Sequence, residues 1–135
     1  MSTRKTTKLE SSLNALLGEA SWLLSHAQSL ADYERREEAE AELARAASCE
    51  EQVAYLLDAA GREQEAVIHR VSAASCYEQL GDHARAVTLL RAALSAKLVD
   101  DYRRRLEQQL ASCLTKATSR KSSPPISIGL ASATR

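Results

Sequence analysis

Val67-Ile68-His69-Arg70-Val71-Ser72-Ala73-Ala74-Ser75-Cys76-Tyr77-Glu78-Gln79-Leu80-Gly81-Asp82-His83-Ala84-Arg85-Ala86-Val87-Thr88-Leu89-Leu90-Arg91-Ala92-Ala93-Leu94 decides the fold of this chain of 135 residues. Before Gly81, Val67, Ile68, Val71, Ala74 and Tyr77 recur mostly at steps of three and four, which lays an apolar stripe along a helix. After it, Ala86, Val87, Leu90, Ala93 and Leu94 do the same. Gly81 stops the first run because glycine enters the left-handed region without a Cβ clash. Asp82 then caps the second run by accepting from its free amides. The reading is a helix from about Glu63 to Leu80, a tight turn, and a helix from about His83 to Leu98.

The same signals extend in both directions. Gly61 closes the preceding helix, and from Tyr33 to Ala60 no Gly or Pro interrupts. This predicts one long helix near 33–60, capped by Asp32, whose acidic start projects beyond the packed helices; a break near Arg36 is the alternative. Its second half carries Leu43, Ala46, Cys49, Val53, Leu56, Leu57 and Ala60 on one side. Upstream, Leu9, Leu13, Leu16, Leu17, Ala20, Leu23, Leu24, Ala27 and Leu30 form the first stripe, opened by Thr7-Lys8-Leu9-Glu10 in capping-box form. Downstream, Asp100 caps a fifth helix with Tyr102, Leu106, Leu110, Cys113, Leu114 and Ala117. Residues 1–8 read as a flexible N-terminus, 9–118 as a single helical domain and 119–135 as a flexible tail. Pro124-Pro125 forbids helix in that tail, and Ile126-Ser127-Ile128 with Leu130 offers a short strand-forming motif. The fold expected is all-α, with about five antiparallel helices.

Composition agrees. Ala, Leu, Glu, Arg and Gln dominate, Phe is absent, and four Gly and two Pro leave little turn material for an all-β fold. Basic and acidic residues balance at 18 each, so no basic surface for nucleic acid is expected. The balance is uneven along the chain: Asp32 to Glu51 holds eight acidic residues against three basic, and Lys97 onward holds eight basic against three acidic. No apolar run reaches 18 residues and Met1-Ser2-Thr3-Arg4-Lys5 opens no signal peptide, so neither a membrane span nor secretion is expected. Cys49, Cys76 and Cys113 form no C-x-x-C pair and sit among Ala and Ser, where a free thiol behaves as a small apolar group. A reducing cytoplasm is the location expected.

One echo runs through the chain. Ala46-Ala47-Ser48-Cys49-Glu50-Glu51-Gln52 returns as Ala73-Ala74-Ser75-Cys76-Tyr77-Glu78-Gln79, and more faintly at Ala111-Ser112-Cys113. Spacings of 27 and 37 set no regular period. The residues that matter are small ones on helix faces, where neighbours can approach closely.

On Ala73-Ala74, Tyr77, Gly81-Asp82, Ala86-Val87, Leu90 and Ala93-Leu94, the stretch from Val67 to Leu98 resembles a tetratricopeptide repeat. Arg70, Ala73 and Leu98 depart from that family's pattern. Leu17 to about Ala47 resembles a degenerate earlier copy, with Ala31-Asp32-Tyr33 in the place of Gly81-Asp82-His83. The resemblance implies an α-α superhelix or bundle, with helix five as its cap. It also implies a protein-interaction face on helix three made of Ile68, Val71, Ser75, Glu78 and Gln79. From Tyr77 to Ala117 the chain also resembles a microtubule-interacting-and-trafficking domain, which implies the same kind of peptide grasping.

Catalytic patterns are sparse. Glu65 and His69 share a helical face at i, i+4, but no Glu-x-x-His motif is present to build a di-metal site. His26 and His83 are isolated, and Cys76 has no histidine partner in sequence. No Gly-rich phosphate loop and no Gly-x-Ser-x-Gly elbow occurs. The expectation is a non-enzymatic adaptor without cofactor or metal that binds a peptide or helix of another protein. The alternative is a self-assembling protein that dimerises through the long helix.

Overall fold

The computed structural model describes residues 2–122. Within them lie five helices and no strand: α1 (Ser2–Asp32), α2 (Arg36–Ala59), α3 (Glu63–Leu80), α4 (His83–Leu94) and α5 (Asp100–Ser122). The all-α reading stands. The extensive interfaces are α1 on α2, α2 on α3, α3 on α4 and α4 on α5, in the order of the chain.

Boundaries depart from expectation in four places. α1 begins at Ser2, so Thr7 lies inside the helix and the Thr7-to-Glu10 box does not cap it. Nothing between Ser2 and Thr7 is Gly or Pro, and the helix simply continues upstream. The long helix at 33–60 is instead α2 from Arg36, with the break at Tyr33-Glu34-Arg35. Asp32 ends α1 rather than capping α2, and Gln28 donates to its carboxylate at 3.0 Å. α4 stops at Leu94 rather than Leu98, because the Arg103 guanidinium donates to the carbonyls of Leu94 (3.2 Å) and Ala96 (2.9 Å). α5 runs to Ser122, past the expected start of the tail at 119. Pro124-Pro125 and the Ile126-to-Leu130 motif lie outside the described residues.

Three of the four connections are one turn written in different residues. Glu34 (φ 61), Gly61 (φ 78) and Gly81 (φ 82) each take the left-handed conformation. The next residues, Arg35, Arg62 and Asp82, have φ of −94, −98 and −91 with ψ of 67, 63 and 73. Each turn is closed by paired amide bonds. Arg35, Arg62 and Asp82 donate back to Leu30, Leu57 and Tyr77, while Glu34, Gly61 and Gly81 donate to Ala31, Asp58 and Glu78, all within 2.8–3.0 Å. That is the Schellman arrangement, which satisfies carbonyls the helix end leaves open. Only Asp82 caps with its side chain, accepting from the Arg85 amide at 3.1 Å. The Arg residues instead pair with a carboxylate three positions on, Arg35 with Glu38 and Arg62 with Glu65 (2.8 Å). Those hydrogen bonds hold both carboxyls below the usual range. Arg62 also reaches Glu10 at 2.7 Å and so ties the α2–α3 turn to α1.

The interior is built from small residues. Ala73, Ala74, Ala86, Leu90 and Ala93 are buried at the α3–α4 seam, and the same cluster continues to Leu106 and Cys113 of α5. Ala20, Leu23, Ala46 and Cys49 close the middle of the α1–α2 seam, with Leu13, Val53, Ala54 and Leu57 below them. Alanine faces let helix axes approach closely, which suits a chain without Phe. Cross-helix pairs run in opposite sequence order: Glu19 with Arg45 and His26 with Glu42, then Asp58 with Arg70 and Glu51 with Tyr77. Consequently α3, at 18 residues, ends partway along α2, at 24. The first turns of α2 reach past α3 and rest on α1, with Ala39 buried there.

Candidate interaction site

The overhang leaves an open notch of about 890 Å³ where α3 stops. Leu24, Ala27 and Ala31 of α1 and Ala39 and Leu43 of α2 supply its apolar lining. Gln28, Glu34, Arg36, Glu40 and Gln79 supply the polar part. Leu24 and Leu43 also pack against the main core cluster, so the lining is an exposed edge of the core.

The structure divides the five residues expected to meet a partner. Ile68 is 58% exposed on α3, and Gln79 borders the notch. Val71 packs against the main core cluster. Ser75 and Glu78 face α5, where the Gln109 amide donates to Ser75 Oγ at 3.3 Å and to Glu78 Oε1 at 2.6 Å. Trp22, the single tryptophan, is 58% exposed and stacks on His26 with ring centroids 4.6 Å apart.

A second groove, of about 520 Å³, runs beside α2 and is lined by Ser48, Glu51, Tyr55, Leu56, Tyr77 and Arg85 among others. Tyr77 donates to Glu51 at 2.5 Å and accepts from Arg85 at 3.2 Å, and the Arg85 guanidinium lies 5.1 Å from the centre of the tyrosine ring. Burial, with the bond to Glu51, pushes the Tyr77 phenol upward. These bonds join α2, α3 and α4 through side chains whose sequence spacing carries no signal.

Glu65 and His69, the i, i+4 pair, are drawn apart by other partners. Glu65 holds Arg62, and His69 Nδ1 lies 2.7 Å from Glu50, which is only 6% exposed on α2. Among the described residues no group of three or more His, Cys, Asp or Glu is placed to hold a metal ion. His83 is half-buried and its Nδ1 meets no partner. All three cysteines are free and buried. Burial pushes the Cys76 thiol up to about 11 and Cys113 up to about 12, and raises Cys49, so none is a ready thiolate at neutral pH. No helix among the described residues is long and apolar enough to cross a membrane. Set beside known proteins, the chain matches no protein-family model, no curated protein and no solved structure.

Proposed function

We propose that this protein is a non-enzymatic, tetratricopeptide-like interaction module that holds a peptide or helix of another protein along the side of α3 and into the notch beyond it. The observation that carries this reading is the notch: Leu24 and Leu43 form an uncovered edge of the core bordered by Gln79 of α3, and Ile68 is exposed three turns earlier on that helix. Apolar anchors in a groove with polar groups around them are what a short helix or extended peptide needs for affinity and register. The recurring turn and the packing of helices in chain order support the superhelical part of the reading. Three unpaired thiols suit a reducing cytoplasm.

Affinity capture from the native host, read by mass spectrometry, tests this with wild type and Ile68→Asp side by side. Circular dichroism should be the same for both, because Ile68 is exposed, and the partner set of the wild type should be lost from the variant. Identical capture by both removes Ile68 from the interface. Light scattering on the same samples separates partner binding from self-assembly. A concentration-dependent dimer that Ile68→Asp dissolves would replace the adaptor reading with self-association.

A further inference from the structure

We propose that the segment held in the notch is cationic: apolar side chains of another protein sit against Leu24, Ala31 and Leu43, and a Lys or Arg beside them meets the carboxylates of Glu34 and Glu40. This choice of partner chemistry rests on the interaction-module reading, since a notch without a guest has nothing to select.

The apolar part of the lining would anchor many segments, and its charged part discriminates among them. Glu34, Arg36 and Glu40 are the charged residues of the lining. All are exposed, and none has a side-chain partner among the described residues. Glu34 shortly precedes Arg36 and Glu40 follows it by about one turn, so a carboxylate stands on either side of the guanidinium along the chain. An acidic guest would meet one cation between two anions, whereas a basic guest finds two free acceptors. The rest of α2 provides the contrast. Glu38 pairs with Arg35, Glu42 with His26, Glu50 with His69 and Asp58 with Arg70, while Glu51 accepts from Tyr77. The surrounding field has the same sign: residues 32–42 hold six carboxylates against Arg35 and Arg36, and Arg35 is already spent on Glu38.

The backbone at Glu34 adds a separate observation. Gly61 and Gly81 fill the left-handed position of the two sister turns, and Glu34 fills it here at φ 61. Its carboxylate does not close the turn, which is held by the backbone amides of Glu34 and Arg35. A side chain kept in a disfavoured conformation, with no bond to its own fold, points to a use at the surface it faces. That surface is the notch. The guest is a segment of another protein rather than a second copy of this one. The chain's own basic run, Arg103-Arg104-Arg105, is committed to the end of α4, to Asp101 and to the face of Tyr102.

The test pans a random linear peptide library, displayed on phage, against the full chain. Selected sequences should join Leu, Ile, Met or Phe to a nearby Lys or Arg, several-fold above the input library. The consensus peptide, titrated into isotope-labelled protein, should move the amide signals of Ala31, Glu34, Glu40 and Leu43. Those of Val53 and Leu57, in a separate cluster, should stay in place. Glu34→Gln with Glu40→Gln should weaken binding several-fold without lowering the Tm, because both carboxylates are exposed and unpartnered. Added salt should shrink that difference. Peptides that seat in the notch with Asp or Glu, or with no charge preference, overturn the cationic assignment and leave the interaction module standing. Equal affinity for wild type and the double variant does the same. A library that yields no binder, or signals that move only elsewhere, removes the notch as a site and overturns both. Notch signals that shift with protein concentration alone give the notch to a second copy and overturn the assignment.

Discussion

The α3–α4 pair and the tip of the α1–α2 pair are closed by the same turn, yet they reach it by different means. At α3–α4, Gly81 takes the left-handed conformation, Asp82 caps the next helix, and the seam behind is sealed by Ala73, Ala74, Ala86 and Ala93. At the α1–α2 tip, Glu34 holds that backbone conformation with a side chain attached, and Arg35 offers no cap to the backbone. The seam there includes buried Leu30 and Ala39, bordered by the His26–Glu42 pair. In one pair local residue preferences and packing agree. In the other, packing of two long helices imposes a turn its own residues disfavour.

The largest test of that difference compares leucines. Leu90 is wholly buried between α3 and its neighbours, and Leu90→Ala should cost about 3 kcal/mol through lost burial and a residual cavity. Leu43 forms part of the notch lining and is only partly buried, so Leu43→Ala should cost about 1 kcal/mol. Urea unfolding with unchanged m-values measures both. Equal losses would mean that the tip is as integral to the core as the α3–α4 pair.

The next effect is at the turn itself. Gly81→Val places a β-branched side chain at φ 82 and should cost about 2 kcal/mol, read as a fall in the urea midpoint. Stability equal to wild type would show that the turn relaxes at no cost, and the contrast with Glu34 would lose its meaning.

Legibility follows the same divide. Glu63 to Leu80 and the turn at Gly81 were readable to the residue, because apolar period, glycine and capping aspartate coincide there. The break at 33–35 was readable only as an alternative near Arg36. Tyr33, Glu34 and Arg35 carry no turn signal, and what decides the break, the burial of Ala27, Leu30 and Ala39, is tertiary. The site was less visible. Ile68 is exposed on its helix face, but the bonds of Ser75 and Glu78 to Gln109 join residues more than thirty positions apart. The notch exists because α3 is shorter than α2, a relation between helix lengths that no residue motif encodes.

The smallest effect carries the sharpest argument, because it exchanges the two turn chemistries. Glu34→Gly removes the Cβ from a left-handed residue, a gain of about 1–2 kcal/mol, and gives back part of it through a freer unfolded chain. The net expectation is about 0.5 kcal/mol of added stability, a Tm rise of about 2 °C. Gly61→Ala is the reciprocal change. A Cβ at Gly61 would meet nothing within 4 Å, so only the backbone term at φ 78 remains, and the loss should be about 1 kcal/mol. Opposite signs at two turns of matching geometry would isolate backbone conformation as the difference between the regions. If Glu34→Gly destabilises instead, the Glu34 carboxylate contributes at the acidic edge of the notch more than its conformation costs. Glu34→Asn, which tolerates the left-handed region but lacks the charge, would then reproduce the loss.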